Sequence, residues 1–273
     1  MLYFGTAGIP INAKTTEDSF SYLKNINLDA MELEFVRSVN LTENKANDLK
    51  NKAGIILSVH APYYVNLNAK EPEKIVSSIK RIVDSSKILN IFNNKNPENK
   101  NVVFHPGYYL KENPDKVYEK IKLNMLKIIE ILIENKFNVK LRPETTGKTT
   151  QFGSLDELIK LSTEINVLPC IDFSHVFARS FGKINDYNSF YSILLKLEEN
   201  LGKLGIKDMH IHISGIEFGN GGEKNHLPIE SSNFNYVDVL RALKDFDASG
   251  TVICESPKLE YDCLILKKIY EEL

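Results

Sequence analysis

Eight short apolar runs recur along this chain, and each is followed by a polar segment and then a stretch whose apolar residues fall at helical spacing. The runs lie at residues 2–5, 30–35, 55–60, 101–105, 138–142, 167–172, 208–213 and 251–255. Helices are expected at 17–25, 42–52, 72–89, 114–135, 155–164, 187–201, 236–245 and 261–273. Their starts carry local signals: Thr42 precedes an amphipathic run, Glu71-Pro72 puts a proline in a first turn, and Ser154 with Glu157 forms a capping box. Spread over 273 residues, eight units average about 34 residues each, close to the roughly 31 of a typical (β/α)8 barrel. An open doubly wound sheet is the rival, but no GxGxxG follows the first run and no linker divides the chain. The expectation is an α/β protein, a single TIM-barrel domain over residues 1–273. The Asn/Lys-rich stretch 93–101 reads as a solvated loop.

Charge narrows the function classes. With 34 Lys+Arg against 36 Asp+Glu, the formal net charge is −2, so any contact with nucleic acid must use a local patch. Lys148, Arg179, Lys183 and Lys224 lie in loops that can form such a rim. Three separated cysteines, Cys170, Cys254 and Cys263, make no CxxC pair and fit neither a disulfide framework nor a thiolate zinc site. Cys170 and Cys254 read as small packing residues. The first residues lack a basic segment followed by an apolar one, and no apolar stretch reaches membrane-spanning length. A cytoplasmic protein with no membrane partner is expected.

The histidines carry the chemistry. His60, His105, His175, His210 and His212 fall at or just after the ends of expected strands, and His226 follows the seventh. Glu144, Asp172 and Glu255 end other strands. In a barrel these ends converge on one face, so residues distant in sequence share one pocket. Imidazole and carboxylate are ligands of zinc, manganese and iron, and nine such groups suffice for two or three ions with bridging carboxylates. His212 shares a strand face with His210 and is expected to contact substrate or a carboxylate. Glu32 and Glu34 also alternate onto one face, where a glutamate can pair with a cation or orient a ligating histidine. Tyr63 and Tyr64 follow His60, placed to stack on substrate; Tyr108 and Tyr109 read as packing.

The phrases SVHAPYYVNL, FHPGYY, PETTG, IDFSHVFA, DMHIH and CESP, in this order, resemble the endonuclease IV family of abasic-site endonucleases among the xylose isomerase-like barrels. The resemblance spans nearly the whole chain. It implies zinc-dependent cleavage of double-stranded DNA on the 5′ side of an abasic site in base excision repair, by a protein that acts as a monomer. It also implies two to three Zn2+ ions, with Mn2+ or another divalent ion as the alternative. Carried over by position, His60 and His105 hold the first metal and Glu144 bridges it to the second. Asp172, His210 and Glu255 complete the second; His175 and His226 hold the third. The family has an Asp-x-His pair there, whereas this chain has Glu223 three residues before His226. Glu144 is the expected catalytic carboxylate. Tyr63, Tyr64, His212 and Arg37 are the expected substrate contacts. The competing reading is a sugar isomerase or epimerase using one divalent ion on Glu144, Asp172, His210 and Glu255.

Overall fold

The computed structural model describes residues 1–93 and 100–273. Most of the expected loop at 93–101 therefore lies outside the described residues. Eight parallel strands form one sheet: β1 (Leu2–Ala7), β2 (Ala30–Glu34), β3 (Ile56–His60), β4 (Asn101–Phe104), β5 (Lys140–Pro143), β6 (Cys170–Asp172), β7 (Met209–Ile213) and β8 (Gly250–Cys254). Neighbours in sequence pair in space from β1 to β5 and from β6 to β8, and β8 pairs with β1. A single parallel bridge, Glu144 to Cys170, joins β5 to β6 and completes the circuit. The fold is a TIM barrel.

Every expected helix is present: α1 (Thr16–Asn25), α2 (Glu43–Leu49), α3 (Pro72–Ile91), α4 (Pro114–Glu134), α5 (Leu155–Ile165), α7 (Tyr187–Leu201), α9 (Tyr236–Asp245) and α10 (Glu260–Glu272). Their starts are held by side chains that satisfy orphan N–H groups: Thr15, Thr42, Asn113 and Asp186 each accept from the first turn. The Ser154–Glu157 capping box forms as expected. Two short helices were not anticipated, α6 (Phe173–Arg179) and α8 (Leu204–Lys207). The first is seven residues whose polar and apolar positions are almost all buried, so no amphipathic period marks it. A hairpin of Gly215–Gly219 and Gly222–Leu227 was also missed, because its strands mix glycine, charged and apolar residues without a clean alternation.

Side chains alternate across each strand, and the two faces differ in kind. Outward residues such as Met31, Leu57, Val102, Ile171, Ile211 and Val252 join the helices in one large apolar core. Inside the barrel a small cluster of Ala30, Ile56 and Ile253 packs with Tyr3 and Ala7. Much of the remaining interior is polar and fully buried: Glu32, Ser58, Asn101, Arg142, His210, His212 and Thr251. The branched aliphatic layers common in such barrels are largely replaced by ionisable groups. At the strand junctions close approach excludes side chains: a Cβ on Gly250 would fall 1.9 Å from the Met209 carbonyl oxygen, and its φ is +135°.

Candidate metal centre

Glu144 stands at the middle of the C-terminal face. Its backbone closes the barrel against Cys170, which fixes its carboxylate over the pocket. Oε2 lies 3.1 Å from His60 Nε2 and 3.0 Å from His105 Nε2. Oε1 lies 3.2 Å from His212 Nδ1 and 3.3 Å from His175 Nδ1. One carboxylate thus touches side chains from β3, β7, the loop after β4 and helix α6.

Among the described residues five groups of ligand atoms cluster tightly enough to share an ion. Three combine imidazole with carboxylate, namely His60, His105 and Glu144; Glu144, Asp172, His212 and Glu255; and Asp172, His175, His226 and Glu255. The other two are Cys170, His210 and His212, and Glu32, Glu34 and Glu255. Backbone carbonyls set the ring orientations. His60 Nδ1 donates to Ala61 O at 2.8 Å, His175 Nδ1 to Thr145 O at 2.9 Å, and His226 Nδ1 to Glu255 O at 3.2 Å. A carbonyl oxygen only accepts, so Nδ1 carries the hydrogen in each and Nε2 presents its lone pair to the pocket. Asp172 divides its oxygens. Oδ1 caps α6 by accepting from His175 N at 2.8 Å, while Oδ2 is buried without a hydrogen-bond donor. Glu255 Oε2 is likewise buried without a hydrogen-bond donor among the described residues, 3.9 Å from His226 Nε2. Such orphaned carboxylate oxygens, opposite imidazole nitrogens, fit the donor set of a divalent cation.

The electrostatics point the same way. Burial disfavours the charged form of His60, yet Glu144 and Glu34 outweigh it and push the imidazole up to about 10. Burial raises Glu255, but His212 and His226 hold it down to about 2. Asp172 is pushed up to about 7 by burial and by Glu255 and Glu144, against His175. Glu34 is pushed up to about 8 by burial, with Glu32 and Glu255 adding to it. Its Oε2 accepts from Tyr63 Oη at 3.1 Å. The pocket therefore concentrates negative charge and draws positive charge inward, as protons or as metal.

The two histidines of β7 lie at different levels of the barrel. His212, not His210, joins Glu144, Asp172 and Glu255. Register decides it: Asp172 pairs with His212 across β6 and β7, whereas His210 pairs with Cys170 one step deeper. His210 Nε2 instead lies 2.9 Å from Glu32 Oε2, and its Nδ1 lies 3.2 Å from Asn101 Nδ2. Glu32 Oε1 lies 3.0 Å from His212 Nε2, so Glu32 braces both rings from below. The alternation of MHIHI put both histidines on one face without showing which was level with Asp172.

Glu223 arrives on the missed hairpin, with Oε2 3.4 Å from His175 Nε2. Tyr63 is 46% exposed with its ring 4.9 Å from His60, and Tyr64 is 62% exposed. Arg37 is exposed in the loop after β2. Of the expected basic rim, Arg179 is committed to the loop carbonyls of Lys148 and Gln151, at 2.6 and 3.0 Å, and Lys224 pairs with Glu217. Lys148 and Lys183 have no carboxylate partner among the described residues.

Against known families, the chain matches the xylose isomerase-like TIM barrels over residues 20–272. It belongs to that family. It is 59% identical over 274 residues to an uncharacterized protein of Methanocaldococcus jannaschii, covering 100% of this chain and 98% of the other. It is 29% identical over 214 residues to a probable endonuclease 4 of Mycoplasmopsis pulmonis, covering 74% of this chain and 70% of that protein. Among solved structures, a D-tagatose 3-epimerase-like protein superposes with a TM-score of 0.73 at 21% identity, covering 98% of this chain and 96% of the other. That likeness concerns the fold alone.

Proposed function

We propose that this protein is a divalent-metal phosphodiesterase that incises duplex DNA on the 5′ side of abasic sites. The carrying observation is the reach of Glu144, whose two oxygens face separate sets of histidines. A single-ion site has no use for both sets. His60, His105 and Glu144 would hold one ion, Glu144, Asp172, His212 and Glu255 a second, and His175, His226 and Glu223 a third. The imidazole-carboxylate donor set suits Zn2+, with Mn2+ as the alternative. Bound there, divalent cations neutralise phosphate charge and make water nucleophilic near neutral pH.

The chain's own residues do the rest. Carbonyl bonds to His60, His175 and His226 hold the rings ready, and Glu32 fixes His212. Tyr63 stands exposed beside His60 with the exposed Tyr64 next to it in the chain, and such aromatic rings can stack in the space left by a missing base. An abasic nucleotide is cheap to extrude because its pairing is already lost. Lys148 and Lys183 are available for phosphate contacts. The relatives named probable endonuclease 4 support this reading.

The four-residue group of Glu144, Asp172, His212 and Glu255 is also complete enough for one ion and favours a second reading, a ketose epimerase. Elemental analysis of protein purified without chelators, paired with incision of a duplex holding one abasic analogue, tests both. Two or three ions per chain with 5′ incision is the expected result. One ion, no incision and epimerisation of a ketohexose would establish the second reading instead.

A further inference from the structure

At the end of the barrel away from the histidines, β5 and β6 part. Their one bridge lies at Glu144 and Cys170, and no ladder continues below it. A cavity of about 820 Å³ opens in that gap, lined by Phe137, Leu168 and Leu201 together with Arg142, Ser162, Lys140 and Asp208. Its size lies within the range of small-molecule sites, roughly 300–1,000 Å³.

The charges in this cavity do not balance. Asp208 Oδ1 accepts from Arg142 Nη2 at 2.8 Å, and its Oδ2 accepts from Lys140 Nζ at 2.6 Å. Two cations share one carboxylate, which leaves one positive charge in excess. Arg142 is fully buried; its Nε donates to Asn101 Oδ1 at 2.7 Å, and its Nη1 has no hydrogen-bond partner among the described residues. Ser162, 3% exposed on the same wall, also leaves its Oγ without one. A buried guanidinium N–H left unpaired is costly, and a charged acceptor removes that cost.

We propose that this cavity is a second ligand site, for a monoanion with an apolar body, such as a medium-chain carboxylate. The head group accepts from Arg142 Nη1 and Ser162 Oγ once the side chains that cover both atoms shift aside, and the apolar body packs against Phe137, Leu168 and Leu201. One spare positive charge and apolar walls select a monoanion over a phosphate dianion. The site shares no side chain with the histidine cluster and does not depend on the reaction proposed for it.

Octanoate titrated into the full chain by calorimetry tests this, with octanol as the uncharged control. Saturable binding of one octanoate, with octanol weaker by about tenfold or more, is expected. Ser162→Ala should weaken octanoate by about threefold to tenfold, and Leu168→Trp, which fills the cavity, should abolish binding. Arg142→Met should erase the preference for octanoate over octanol. Should Arg142→Met fail to fold, Ser162→Ala and Leu168→Trp still decide, since both leave the metal cluster untouched. Equal affinity for octanol, absence of saturable binding, or unchanged binding in Leu168→Trp would overturn the proposal.

Discussion

His175 and His226 face each other across the pocket with their Nε2 atoms 3.5 Å apart. Both rings donate Nδ1–H to backbone carbonyls, so two lone pairs oppose one another unless a proton or a cation lies between. Replacing His226 by Ala should therefore remove about one metal ion per chain and leave the His60–His105 pair loaded. Elemental analysis of wild type and variant side by side reads this directly.

Glu144→Gln keeps the shape of the side chain but removes the charge that both histidine sets approach. Turnover should fall by at least about 100-fold, with weaker metal retention. Full turnover in this variant would refute the bridging role.

His210 and His212 should separate cleanly. His212→Ala should lose metal, while His210→Ala should keep its stoichiometry, because the ring of His210 is hydrogen-bonded to Glu32 and Asn101 and does not group with Glu144, Asp172 and Glu255. Glu32→Gln, which loosens the support of His212, should weaken metal affinity by about 10-fold to 100-fold. Competition against a chromogenic chelator measures all three.

His60 sets a pH signature. In the metal-free protein its imidazole is pushed up from 6.5 to about 10, so the stability it contributes is fully present below pH 6.5 and is lost as pH rises through about 10. At pH 7 that proton must leave before Nε2 binds a cation. Metal binding should thus release protons, seen as a dependence of the calorimetric heat on the buffer's ionisation enthalpy, and affinity should rise with pH.

Tyr64, exposed and next in the chain to Tyr63, should act on DNA rather than on metal. Tyr64→Ala is expected to raise KM for abasic duplex by about tenfold with metal content intact. An unchanged KM would remove it from the substrate contacts.

The barrel was legible because strand runs and helix caps announce themselves locally: the Ser154–Glu157 box and Pro72 mark their helices in sequence and in space. Convergence of the histidines followed from topology alone. What stayed hidden depended on register and on elements without a period. Asp172 is level with His212 only because of how β6 meets β7, and His226 reaches His175 only through a hairpin. Glu32 showed its place on the strand face but not the two rings it braces.

The joint between β5 and β6 is the ring's thinnest, one bridge at Glu144 and Cys170 with Thr145 N donating to Cys170 O at 3.1 Å. Glu144 and Asp172 stand on either side of it, so a cation gripped by both is a clasp on the hoop as well as a reagent. Stripping metal from such a protein should loosen the cylinder along that seam first, and amide exchange there should outpace exchange in every other strand pair.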